Sequence, residues 1–173
     1  MDKIMIVGFS GAGKSTLARK LGELLSIEPI HMDALFWKPN WVESTVEEVN
    51  AKLRPVLAQE RWIVEGAYRK MLYRERMEQC DTLIFLDFNR FLCFYRVVKR
   101  RWMYHRKTRP DMGAGCHEKL DLEFAKWVLL EGRKRRKQFY RELAGLKKKR
   151  VYIFHCPRQV EHFLKQAERN EKQ

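Results

Sequence analysis

Five short apolar runs recur along the chain, at residues 3–7, 28–32, 61–64, 82–86 and 150–154. Each is continuous rather than alternating, the pattern of a strand buried on both faces. Between them lie longer segments in which apolar residues return every three or four positions. In 14–25, Leu17, Leu21, Leu24 and Leu25 fall on one side of a helix. Segment 44–59 opens with Ser44 and Glu47 at the spacing of a capping box, which satisfies free amides at a helix start. Helices are also predicted over 68–78, 89–105, 120–143 and 157–168, the last with Pro157 in its first turn, where an N–H is dispensable. Strand alternating with helix predicts an α/β fold, a mainly parallel sheet flanked by helices on both faces. Residues 104–118 break the rhythm. Pro110, Gly113 and Gly115 stand there among Lys and Arg, so the stretch reads as an excursion between two helices and a candidate lid.

The length of 173 residues suits one domain, 1–173, with interior enough for a core that needs no disulfides. Hydrophobic residues at 45% and charged residues at 34% exclude a disordered tail. The longest apolar runs are strand-sized, and residues 4–7 lead straight into a glycine loop with no cationic leader. A cytoplasmic protein without a membrane segment is therefore expected. Cys80, Cys93, Cys116 and Cys156 never stand at C-x-x-C spacing and read as reduced thiols; Cys116 beside His117 lacks a second ligand pair for a metal. The net charge of +14 is local: residues 90–150 hold 20 Lys or Arg against 6 Asp or Glu, and the rest of the chain holds 16 of each. So concentrated a field attracts polyanions, whether nucleotide phosphates, a nucleic-acid backbone or an anionic membrane surface.

The most specific chemistry is in the first loop. Gly8-Phe9-Ser10-Gly11-Ala12-Gly13-Lys14-Ser15 satisfies G-x-x-x-x-G-K-[ST], and it follows an apolar run and precedes an amphipathic helix. In that context backbone amides and a helix N-terminus converge on an anion. Gly8, Gly11, Ala12, Gly13, Lys14, Ser15 and Thr16 are the candidate nucleotide-binding residues, with Lys14 reaching the β- and γ-phosphates of ATP and the Ser15 hydroxyl ligating Mg²⁺. No N-K-x-D guanine-reading motif follows, which argues against a GTPase, and the length leaves little room for a motor ATPase's accessory domains. Three strand ends offer an acid for the metal or for an acceptor hydroxyl: Asp33, Glu65 and Asp87. Arg96 and Arg100 are four apart on one helix face and can support phosphates; Arg133 and Arg136 on the following helix can reach an acceptor.

Beyond the loop, His31-Met-Asp33-Ala-Leu-Phe-Trp37-Lys-Pro-Asn-Trp41, Trp62-Ile-Val-Glu65-Gly66-Ala-Tyr68, Arg106-Lys-Thr-Arg109-Pro110-Asp111-Met112 and Glu118-Lys-Leu-Asp121 extend over nearly the whole chain. With Gly8 to Ser15 they resemble the adenylate-kinase-like P-loop proteins known as DNA topology modulation proteins. The resemblance implies a five-stranded parallel sheet in the order 2-3-1-4-5, a substrate-binding helical region after the second strand, and a helical lid. It places Glu65-Gly66 where nucleotide kinases carry Asp-Gly, with Glu65 toward Mg²⁺ and the acceptor, and it makes Asp33 the acid that holds or deprotonates the acceptor hydroxyl. Trp37 and Trp41 would line the acceptor site, and Arg109 would be the lid arginine that stabilises charge on the γ-phosphoryl group in flight. The function so implied is a kinase moving the γ-phosphoryl group of ATP to a small molecule or nucleotide, with Lys14, Arg109, Arg100 and Asp33 as catalytic residues and Arg136 at the acceptor. Two rival readings remain. One is a nucleotide-dependent DNA- or RNA-binding protein gripping a backbone through its basic 90–150 region, although no helix-turn-helix, zinc finger or RNA-reading motif is present. The other is an ATP-binding protein without turnover.

Overall fold

The structure, a computed structural model, describes residues 1–104, 112, 115, 116, 121–146 and 149–171. Five parallel strands build the main sheet: β1 (Lys3–Gly8), β2 (Pro29–His31), β5 (Trp62–Glu65), β6 (Thr82–Leu86) and β7 (Arg150–Phe154). Their order is β2-β5-β1-β6-β7. Counted among the sheet strands alone, this is the 2-3-1-4-5 order expected. Two-residue strands β3 (Trp37–Lys38) and β4 (Val42–Glu43) form a separate antiparallel pair. The helices are α1 (Lys14–Leu25), α2 (Met32–Phe36), α3 (Val46–Leu57), α4 (Tyr73–Gln79), α5 (Arg90–Met103), α6 (Leu122–Leu129), α7 (Arg136–Ala144) and α8 (Pro157–Glu171).

The apolar runs are continuous because each strand feeds two cores. Successive strand side chains point to opposite faces. Ile4, Ile6, Ile63 and Ile84 accordingly pack under α1 and α8 with Leu17, Leu21 and Phe163. Met5, Val7, Val64, Leu83 and Phe85 pack on the other face with Leu53, Met77 and Phe139. A strand covered on one face only would alternate; these strands are buried throughout at Ile4 to Val7, Trp62 to Glu65 and Thr82 to Leu86.

Four boundaries differ from the sequence pattern, each for a local reason. The run 28–32 shortens because Met32 begins α2. The capping box lies one residue later than predicted: the Thr45 hydroxyl accepts from the Glu48 amide at 3.2 Å and Glu48 accepts from the Thr45 amide at 2.9 Å. Ser44 is instead buried, donating to the Leu35 carbonyl at 3.2 Å. Helix α4 starts at Tyr73 rather than 68 because Tyr68 and Leu72 adopt left-handed backbone conformations, with φ of 30° and 48°, that an α-helix cannot contain. The predicted helix over 120–143 is divided by a 3₁₀ turn, Glu131–Arg135, at Gly132, consistent with the low helix propensity of glycine. The four cysteines carry free thiols. No helix among the described residues is long and apolar enough to cross a membrane.

Candidate active site

Strand β1 ends at Gly8, at the centre of the sheet, and the loop to α1 turns back over the carboxyl ends of the strands. Gly11 has a φ of 78°, and a Cβ there would stand 2.3 Å from the Cys93 carbonyl oxygen, so only glycine fits against α5. Gly13, with φ 94°, serves as the N-cap of α1 without a side-chain cap, and the first turn carries no acidic residue. The first-turn amides and the positive end of the helix dipole are thus left for an anion. Lys14 Nζ lies over the loop, 3.5 Å from the Phe9 carbonyl. Gly8, Gly11, Ala12, Gly13, Lys14, Ser15 and Thr16 therefore occupy one turn-and-helix start, as their motif predicts.

The acids at the strand ends take different partners. Glu65, at the end of β5, is 2% exposed, and its Oε1 accepts from Ser15 Oγ and faces His31 Nδ1, both at 3.0 Å. Burial opposes ionisation, but the His31 hydrogen bond, the Lys14 charge and the Ser15 hydroxyl outweigh it and hold the carboxyl below the usual glutamate range. A buried, ionised carboxylate on the loop serine fits Mg²⁺, which takes few protein oxygens and keeps phosphate oxygens and waters for the rest. Gly66 follows with a φ of 114°; a Cβ there would strike the Met32 side chain at 2.8 Å. Asp33, in α2, lines the same cleft as Lys14, Ser15 and Thr16. Its Oδ1 accepts the Tyr68 hydroxyl at 2.6 Å.

Asp87 stands apart from this pair. Its carboxylate takes Arg136 through Nε and Nη2 at 2.7 to 3.0 Å and the Tyr140 hydroxyl at 2.6 Å. Arg133 lies 3.8 Å from Asp87, with its guanidinium 3.9 Å over the Phe9 ring. Both arginines expected to reach an acceptor are held on Asp87, so Arg136 ties α7 to the end of β6. Asp87 in turn is occupied as an anchor for that helix.

Arg96 and Arg100 do share a face, and both line the cleft. Arg96 Nη1 donates to the Ala12 carbonyl at 3.2 Å, bracing the loop from α5. Phe88 and Tyr104 on one side and Pro157, Val160 and Glu161 on α8 extend the cleft beyond the loop to about 380 Å³. No sequence motif marks these residues, because their contribution comes from the packing of α5 and α8 on the loop. Trp37 and Trp41 form an edge-to-face pair at 5.4 Å, and Trp37 contacts Phe36 at 4.8 Å. Cys116 Sγ donates to the Lys38 carbonyl at 3.1 Å, and Gly115 accepts from the Asn40 amide at 3.4 Å, which seats the end of the predicted lid stretch on this aromatic hairpin. Arg109 and His117 lie outside the described residues.

No protein-family model matches the chain, and neither does any curated sequence. Solved structures do match over its whole length. A shikimate kinase from Acinetobacter baumannii, in complex with shikimate, aligns with a TM-score of 0.62 at 21% identity, covering 100% of this chain and 96% of that one. The fold is that of the small P-loop kinases. A shikimate kinase from Bacteroides thetaiotaomicron aligns at TM-score 0.56 and 19% identity over 98% of both chains. A gluconokinase from Sinorhizobium meliloti 1021 aligns at 0.52 and 17%, covering 99% of this chain and 91% of its own. The likeness to DNA topology modulation proteins gains no support from these matches, whereas the kinase fold that the likeness implied is present.

Proposed function

We propose that this protein is an ATP-dependent phosphotransferase that moves the γ-phosphoryl group of ATP to a hydroxyl of a small molecule. The observation that carries the proposal is the convergence of three groups on one cleft: the phosphate loop with Lys14, the Ser15–Glu65 pair, and Asp33. The loop amides and Lys14 hold the β- and γ-phosphates, and Ser15 and Glu65 are the residues that would hold Mg²⁺. When bound, the ion neutralises charge on the phosphate oxygens. Asp33 accepts the proton of the acceptor hydroxyl as its oxygen attacks the γ-phosphorus. The bond from that phosphorus to the β–γ bridging oxygen breaks, and ADP leaves with the electron pair. Arg100 lines the cleft and faces the charge that develops on the transferring group, and Arg109 adds to it from the lid stretch. Trp37 and Trp41 wall the acceptor side, and the missing Cβ of Gly66 lets the end of β5 pack on Met32 of α2 beside it. Kinases of the same fold, one of them bound to shikimate, support this reading.

The nucleic-acid reading rests on the charge of 90–150 and on the likeness to DNA topology modulation proteins, and within that region Arg96, Arg133, Arg136, Lys149 and Arg150 are already engaged within the chain. A panel of hydroxylated and phosphorylated metabolites, shikimate included, tests the proposal by ADP release from MgATP. ADP should form with at least one acceptor and not with Lys14→Ala. Absence of turnover with every acceptor, in a protein that binds MgATP, would leave the inert ATP-binding reading standing.

A further inference from the structure

We propose that Tyr68 is a positioning residue for the phosphoryl transfer, fixing the carboxylate of Asp33 toward the acceptor hydroxyl. The inference rests on the reading of Asp33 given above. Asp33 sits in the five-residue helix α2, exposed enough to rotate about its side-chain bonds, yet one of its oxygens is already taken. Tyr68 donates to Asp33 Oδ1 at 2.6 Å. Burial, and then the charge and hydrogen bond of Asp33, push the Tyr68 phenol far above the usual tyrosine range, so it stays a donor.

The backbone beneath Tyr68 is held as firmly. Its φ of 30° lies in the left-handed region, which a bulky aromatic residue occupies only when its surroundings demand it. Those surroundings are Arg76, whose side chain is fully buried and donates to the carbonyls of Gly66 at 2.7 Å, Ala67 at 2.7 Å and Tyr68 at 3.2 Å. The Met71 amide adds a fourth bond, to the Tyr68 carbonyl at 3.0 Å. On the ring side, Phe36 packs 5.1 Å from Tyr68, centroid to centroid. The same clamp therefore sets Tyr68 and follows directly on Glu65, the acid that holds Ser15. Metal side and acceptor side are built from one loop, and the hydroxyl of Tyr68 is the part of it that touches Asp33.

The test pairs Tyr68→Phe, which keeps the ring and removes only the hydroxyl, with Asp33→Asn and the double variant. Turnover is read as ADP release from MgATP, with shikimate and the other panel acceptors and with water alone. Loss of a hydrogen bond to a charged group predicts a kcat roughly tenfold to a hundredfold lower in Tyr68→Phe, with the KM for ATP unchanged. In the Asp33→Asn background, Tyr68→Phe should cost nothing further, because the group it positions is gone. An acceptor-free readout is the ¹³Cζ-tyrosine spectrum of the intact protein, in which the resonance lost in Tyr68→Phe should move in Asp33→Asn. Full turnover of Tyr68→Phe beside an impaired Asp33→Asn would overturn the positioning role and leave the kinase reading intact. Full turnover of Asp33→Asn would overturn the proton-accepting role of Asp33 and the positioning role with it, again leaving the kinase reading intact. A Tyr68 resonance indifferent to Asp33→Asn would show that the contact is absent in solution and overturn the inference without any assay of activity.

Discussion

Arg76 offers the sharpest test of how the site is held together. It is 0% exposed, has no carboxylate at ion-pair distance among the described residues, and spends its guanidinium on three backbone carbonyls, Gly66, Ala67 and Tyr68. Burial pulls its pKa down to about 10, so it remains charged at neutral pH while its charged form carries a penalty of about 3 kcal/mol. Replacing it by methionine, Arg76→Met, removes that penalty and also removes three bonds from a charged donor, together worth about 6 kcal/mol at about 2 each. The net expectation is a loss of about 3 kcal/mol, a fall in melting temperature of roughly 10 °C for a chain of this size. Urea unfolding monitored by circular dichroism measures the free energy, and calorimetry measures the temperature. A variant as stable as the parent, or more stable, would refute the argument, since it would mean that the three carbonyls find water or that the buried charge costs more than its hydrogen bonds supply.

Gly11→Ala places a Cβ 2.3 Å from the Cys93 carbonyl in a left-handed residue, so α5 must withdraw; MgATP affinity should fall by at least about tenfold, read by calorimetric titration. Asp87→Asn breaks an anchor whose side chain is 1% exposed, at an expected cost of about 2 to 3 kcal/mol, less than for a fully buried pair because Arg136 is half-exposed. Burial raises the Asp87 pKa, but Arg136 and Tyr140 outweigh it and hold the folded value below the unfolded one, so the contribution of Asp87 is complete above about pH 4 and is lost as pH falls through its folded pKa. Acid unfolding curves should therefore be steeper in the parent than in Asp87→Asn below about pH 4. Glu65→Gln should raise the Mg²⁺ concentration needed for half-maximal ATP binding by about tenfold, with ATP affinity in the absence of metal little changed.

Much of this was legible in the residues. The sheet followed from its apolar runs because strands buried on both faces cannot hide their pattern, and the phosphate loop followed from a motif whose glycines are demanded by a backbone fit at Gly11 and Gly13. Local signals failed where two registers satisfied them equally. Ser44 with Glu47 and Thr45 with Glu48 are both capping boxes on paper, and only the burial of Ser44 against Leu35 decides between them. The partition of three strand-end acids was out of reach for a different reason. Asp33, Glu65 and Asp87 look alike in sequence, and what separates them is the company they keep across 34 to 50 positions of chain: His31 and Ser15 for Glu65, Tyr68 for Asp33, Arg136 for Asp87. Arg76 gave no signal at all, being one arginine among many in a polar stretch until the fold buries it.

The proposed phosphoryl transfer requires a triphosphate held at the start of α1 by free amides and Lys14. Titration of MgATP into the intact protein and into Lys14→Ala by calorimetry measures this directly. The expected result is binding at submillimolar concentration by the parent and a loss of at least about tenfold in the variant. No heat of binding at millimolar MgATP, or equal affinity in the two proteins, would contradict it.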